Sequence, residues 1–375
     1  MKLLFVFLPF FFAFALMPVF VAPGGARPRF QAAWAAWFLF CAAKFICFDV
    51  FGGDAFAPEL PEVLIWAWNL AYSGMCLLLA FALAYRFARF VLSPFARLPC
   101  GGALWFAVLP LVAWSAAAKG VYNGVKPPVA REVEIVSPEL PASLDGYRIL
   151  HATDIHASAA ARAWRTKAIV EAANAAKPDL ICLTGDYFDG MCSAQSANVA
   201  PLAGLKARDG VIAVTGNHEY YYDTFAWLRF FRSIGIRFLD GECVFPRPGL
   251  AVAGVNDPAC IRAGFAPPSA AGAFAAATNG EFRILLQHRP HVGAASPASR
   301  CDLQLSGHTH GGVAPLMDML VARWNGGMTK GFYSRPHRPR IYVSSGAGQW
   351  AGFPIRFFDD PELVVFTLRK PEKAE

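Results

Sequence analysis

Five short segments gather carboxylate, amide and imidazole side chains within a few positions of one another. They are Asp154-Ile155-His156, Asp186 with Asp189, Asn217-His218-Glu219, His288, and His308-Thr309-His310. Imidazole with carboxylate is the donor set of Mn, Fe or Zn, whereas a calcium site is built from oxygen. Asp154 and His156 stand two apart, so on an extended segment they point to one side and can share a cation. His308 and His310 repeat that spacing. Each motif alone also has an ordinary reading: Asp-x-His is common, His288 fits a hydrogen-bonded surface residue, and Asn217 could cap a helix start. Read together, the set favours metal. His151, His291 and His337 are left as structural, with His291 the rival for the role of His288.

Each segment follows a short apolar run that reads as a buried strand. Arg148–Ala152 leads to Asp154, Leu180–Leu183 to Asp186, and Val211–Val214 to Asn217. Ile284–Gln287 leads to His288 and Leu303–Leu305 to His308. Ala251–Val255, Ile341–Val343 and Leu363–Leu368 are further strands, and Thr166–Ala176 and Phe225–Ser233 have helical spacing. Gly264–Gly280 reads as a loop with at most one helical turn. Strands alternating with helices imply an α/β layered domain, whose strand ends converge on one crevice. So many polar groups in one crevice are costly unless something pairs them. Gly185, Gly216 and Gly307 suit tight turns that bring backbone up to the site.

The first third of the chain is different. Of 375 residues, 55% are hydrophobic and 16% charged, and the mean hydropathy is +0.37, which excludes disorder and a small disulfide scaffold. Four apolar segments reach bilayer length: Met1–Ala22, Phe30–Cys47, Val63–Tyr85 and Ala103–Ala118. Lys44, near the end of the second, is expected to snorkel to the interface. Arginines at 27, 29, 86, 89 and 97 flank the first and third connections, while the second carries Asp54, Glu59 and Glu62. Positive residues inside put the chain after Lys119 outside the cytoplasm, as a multi-pass integral membrane protein. The rival reading makes the first segment a cleaved signal peptide. The net charge of +7 thus follows membrane topology, and no long basic run suggests a nucleic-acid partner. The organisation expected is a four-helix transmembrane region over 1–120, a Pro-rich linker over 121–141 with a first strand, and a domain over 142–375. The nine scattered cysteines hold no CxxC pair, leaving one disulfide open and no zinc ribbon.

In order, the five segments spell DxH, GDxxD, GNHE, a single His and GHTH. They resemble the calcineurin-like metallophosphoesterase superfamily, and GNHEYY, LLQHRP, QLSGHTHGG and the tail Tyr342–Leu368 look like its membrane-anchored branch. The resemblance covers about Ala142 to Leu368. It implies an α/β, four-layer αββα sandwich, here preceded by an all-α transmembrane helical region, with two divalent ions as cofactors. Carried over by motif position, Asp154, His156, Asp186 and His310 would hold one ion. Asp186 would bridge to the second, completed by Asn217, His288 and His308. His218 would sit by the phosphate as proton donor, oriented by Asp189. Val313 stands where the branch usually has Gln. Gly190 and Met191 follow Asp189 in place of the Arg of protein phosphatases, which disfavours that activity.

The function expected is a membrane-anchored phosphoester hydrolase that attacks with metal-activated hydroxide, its substrates phosphoesters of the envelope or linked to lipid. Two other readings stay open: a tethered phosphodiesterase for soluble nucleotides, and a catalytically inactive membrane scaffold.

Overall fold

A computed structural model describes residues 2–20, 28–95, 104–290, 301–314, 317–334, 340–352, 354–357 and 359–371. Arg27, Arg97, Cys100, His291 and His337 lie outside the described residues. The chain forms two compact units, Met1–Asn123 with Ala351–Ile355, and Gly124–Trp350 with Arg356–Glu375.

The first unit is helical: α1 (Lys2–Phe20), α2 (Pro28–Ala42), α3 (Lys44–Gly52), α4 (Glu62–Leu92) and α5 (Leu109–Val125). Leu16, Phe38, Cys41, Met75, Leu78 and Ala113 pack into its interior. Many large apolar side chains face outward, Phe11, Phe87 and Phe90 among them. Four separate spans were expected. Among the described residues only α4 is long and apolar enough to cross a membrane alone, about 46 Å at 1.5 Å per residue. The second expected span is broken: α2 and α3 meet at a 55° bend, as a broken span or a re-entrant loop. The fourth opens on a π-helical turn, Leu104–Val108, before α5. Lys44 lies just past the bend and does not snorkel. Its side chain is fully buried, with Nζ donating to the Ala351 carbonyl at 2.9 Å. Nζ also lies 4.5 Å and 4.8 Å from the ring centroids of Phe45 and Tyr72. A backbone acceptor and two aromatic faces replace water around the ammonium.

The second unit holds twelve strands: β1 (Val129–Val136), β2 (Arg148–Ala152), β3 (Leu180–Thr184), β4 (Val211–Val214), β5 (Arg237–Phe238), β6 (Glu242–Arg247), β7 (Leu250–Gly254), β8 (Phe282–Leu286), β9 (Leu303–Ser306), β10 (Gly331–Tyr333), β11 (Arg340–Val343) and β12 (Glu362–Arg369). They form two sheets, ordered β1-β12-β2-β3-β4-β5 and β10-β11-β9-β8-β7-β6. One core lies between the sheets, where Ile149, Cys182 and Phe366 meet Val252, Ile284 and Leu305. On the outer face of the first sheet, Ile181, Leu183 and Ala213 pack with residues of α6 (Ala163–Ala175), α7 (Cys192–Val199) and α8 (Thr224–Ser233). The second sheet's outer face carries the short α9 (Ala270–Ala273) against Ala253 and Leu285, with α10 (Met317–Trp324) further along the chain. Helices, two sheets and helices make the αββα sandwich.

The stretch expected as linker, 121–141, holds β1, which pairs in parallel with the final strand over eight residues. β12 in turn runs antiparallel to β2, so this strand lies inside the sheet. Its Leu363 through Phe366 are fully buried. All eight cysteines among the described residues are free thiols.

Candidate metal centre

β2, β3 and β4 are parallel neighbours, as are β8 and β9, so the loops leaving them open at one edge. The first two loops are tied by their backbones: Asp154 N donates to Gly185 O at 2.9 Å and His156 N to Asp186 O at 3.1 Å. Asp154 and His156 do turn toward one another, but by a different route from strand alternation. Asp154, His156, Asp186, His308 and His310 all have left-handed backbone, with φ of 53°, 50°, 56°, 74° and 48°. Non-glycine residues rarely adopt it, and it persists only where the surroundings enforce it.

Close backbone approach does the enforcing. A Cβ on Gly307 would lie 2.2 Å from Asp154 Oδ2, and one on Gly216 would lie 2.3 Å from Asp186 Oδ1. In those gaps His308 N donates to Asp154 at 3.1 Å, and His218 N donates to Asp186 Oδ1 at 2.9 Å.

Among the described residues, three clusters bring ligand atoms within 4.8 Å of one another: Asp154 with His156 and His310, Asp186 with His288 and His308, and His156 with Asp189 and His218. His308 and His310, whose spacing suggested one shared site, fall in different clusters. Asp186 Oδ2 joins the groups, 3.1 Å from His288 Nε2 and 3.9 Å from His156 Nε2. Asn217 does not cap the short helix that follows it. Its Nδ2 donates to the Tyr221 hydroxyl at 3.1 Å, and its Oδ1 is buried with no hydrogen-bond partner.

This donor set fits divalent ions. His288 Nδ1 faces the Thr184 carbonyl at 2.7 Å and so carries its proton there. In the neutral ring Nε2 is then a bare lone pair, yet it points at the Asp186 carboxylate. His156 Nδ1 is likewise committed to Asp189, while its Nε2 faces His310 Nε2 at 3.2 Å. Lone pairs so placed need a proton or a cation between them. Without an ion, protons do this work: burial lowers the His288 pKa, but Asp186 and Asp154 outweigh it and push it up to about 10. Burial, and then the positive charge of neighbouring histidines, holds His308 and His310 well below the usual range, hence neutral. Burial raises Asp186, but His288 and His218 outweigh it and keep the carboxyl ionised. Neutral imidazoles, an ionised carboxylate and an unpaired amide oxygen are the states that bind metal.

Asp189 serves two histidines, accepting from His218 Nδ1 at 2.5 Å and from His156 Nδ1 at 3.2 Å. His218 Nε2 is left facing Asp186 Oδ2, 3.8 Å away. Sequence reasoning gave no role to Glu219, although it lies inside the GNHE block. Its buried carboxylate accepts from the backbone N–H groups of Asp186, Tyr187 and Gly216, fixing two of the loops to each other. It also missed Arg356, buried in the C-terminal stretch, which donates to the carbonyls of Gly346 and Gly348. Periodicity gives no sign of either. His151 lies on β2 itself and faces Thr184 Oγ1 at 2.7 Å, with burial pushing its pKa down to about 3.

An αββα sandwich with histidine–carboxylate clusters at its strand ends defines a domain equipped to hold metal ions. Residues 147–312 match the calcineurin-like phosphoesterase family, and the chain belongs to it. An uncharacterised metallophosphoesterase of Helicobacter pylori is 32% identical over 258 residues, covering 68% of each chain. A Danio rerio relative described as a transmembrane protein with a metallophosphoesterase domain is 30% identical, over 68% of this chain and 60% of its own. A Bacillus subtilis metallophosphoesterase, also uncharacterised, is 30% identical over 64% of this chain and 84% of its own.

Proposed function

We propose that the protein is a membrane-anchored phosphoester hydrolase that works with two divalent ions, Mn, Fe or Zn, on phosphoesters of the envelope or linked to lipid. The observation that carries this reading is the convergence of five strand-end loops into three neighbouring clusters, with Asp186 Oδ2 of one lying 3.9 Å from His156 Nε2 of the other two. Asp154, His156 and His310 with Asp186 would hold one ion, and Asp186 with Asn217, His288 and His308 the other. When bound, the ions supply Lewis acidity to the phosphoryl oxygens and make an attacking water more acidic.

The chain's own residues do the rest. Asp189 fixes the His218 ring through Nδ1, and Nε2 gives its proton to the departing alkoxide. In the ion-free protein burial lowers the His218 pKa, but Asp186 and Asp189 outweigh it and hold it at about 9. Glu219 keeps Asp186 in register. Membrane association is supported by α4 and by the transmembrane description of the zebrafish relative. A multi-pass anchor with the hydrolase unit outside the cytoplasm is the topology proposed.

The test is the purified full-length protein in detergent, assayed on mono- and diester chromogenic substrates across a metal series. Turnover that rises with about two ions per chain is expected. A protein inert under every metal would overturn the reading. His218→Ala is expected to lose about 10²–10⁴-fold in rate while keeping its ions; loss of metal in that variant would refute the proton-donor role. Protease added to intact cells should cut the hydrolase unit, and full protection would reverse the topology.

A further inference from the structure

His218 lies against two aromatic rings that the metal chemistry does not use. The Tyr221 ring centroid is 4.9 Å from that of His218 at a 52° tilt, and the Trp350 indole meets the imidazole edge-on at 5.5 Å. The rings come from separate loops, one after β4 and one after β11. Tyr221 is half exposed, and its hydroxyl is anchored by Asn217 Nδ2. The loop that carries Trp350 is held by Arg356, which donates to Gln349 Oε1 and to the Gly348 carbonyl. With His218 Nδ1 committed to Asp189, Nε2 is the nitrogen left to give a proton. An alcohol that receives it must place its carbon skeleton beside the imidazole, where these two rings stand.

We infer that Tyr221 and Trp350 form the leaving-group subsite, and that it selects esters whose alcohol carries a flat, ring-shaped apolar face over esters of small aliphatic alcohols. The inference rests on the reading of His218 as proton donor. Ring–ring contacts prefer edge and offset geometries, and two held rings offer both without ordering cost. The same rings give nothing extra to an alcohol of two carbons.

The test compares benzyl phosphate with ethyl phosphate, and their methyl diesters, on the metal-loaded full-length protein. The two alcohols are of similar acidity, so the difference reports the ring. Benzylphosphonate and ethylphosphonate, which resist hydrolysis, are compared in parallel by calorimetry. We expect about tenfold higher kcat/KM for benzyl esters and the same order in binding. Trp350→Ala and Tyr221→Leu should each cut that preference, read as the benzyl-to-ethyl ratio within each variant, at least about threefold. Tyr221→Phe, which keeps the ring, should retain it. Metal content is measured in every variant, because Tyr221 touches Asn217. Equal treatment of the two alcohols, or a preference that survives both substitutions, overturns the subsite. A chain inert to all esters that still binds benzylphosphonate more tightly fails the hydrolase reading and keeps the subsite. An inert chain with equal binding loses both.

Discussion

His218 sits between two carboxylates, and that placement has a consequence for stability as well as for rate. In the ion-free protein its folded pKa of about 9 exceeds the ordinary value of about 6.5. The folded state therefore holds this proton more tightly than the unfolded chain does. The stabilisation is complete below about pH 6.5 and is lost as pH rises through about 9. His288, pushed up to about 10, acts in the same direction over a slightly wider window. Melting temperature of the ion-free protein should thus fall between about pH 6.5 and 10, and His218→Gln should flatten part of that slope. An unchanged slope in the variant would show that His218 is not paired as described. The identities of these residues were legible in the sequence because each polar cluster interrupts an apolar run. Their geometry was not, since alternation along an extended segment suggested that Asp154 and His156 converge for the wrong reason. Left-handed backbone at non-glycine residues is imposed by neighbours far along the chain, and local composition carries no trace of it.

At the scale of elements, the loops depend on glycines that leave room for carboxylates. Gly307→Ala would drive a methyl group into Asp154 Oδ2 and Thr153 Oγ1, both nearer than 2.5 Å to that position. Neither can retreat easily, because Thr153 Oγ1 donates to Asp154 Oδ2 and the carboxylate accepts from His308 N. Metal affinity should drop at least about tenfold, as it does when a ligand's supporting contacts are lost. Gly280→Ala meets nothing within 4 Å and should leave affinity unchanged. Metal titration followed by calorimetry distinguishes the two, and equal affinities would show that the loop is more yielding than its contacts imply. The strands that deliver the site were legible, since β2, β3, β4, β8 and β9 are short apolar runs ending in polar residues. β5, β6 and β10 were not: they are short or half exposed, so burial never imprints a pattern on them. α7 hid for a related reason, as Cys-Ser-Ala-Gln-Ser-Ala-Asn-Val presents only a narrow apolar stripe.

Across the whole molecule, what composition separates is not quite what the fold separates. The change from apolar to mixed sequence near Gly120 suggested a domain starting at 142, after a linker. β1 lies in that linker, and its Ile135 is buried in the core between the sheets. A chain begun at Ala142 would leave the buried strand β12 with an unpaired edge and remove the Ile135 side chain from its site. Full burial of one such side chain is worth about 1.5–3 kcal/mol, and each kcal/mol moves the melting temperature of a domain this size by about 2–4 °C. A chain begun at Gly124, which keeps β1, should therefore melt at least about 3 °C above one begun at Ala142 in the same detergent. Both retain every candidate ligand, so a shorter chain that also loses metal would show that the loop after β2 depends on the sheet edge two strands away. Equal melting temperatures would instead make β1 a removable tether, and the boundary expected from composition would be the physical one.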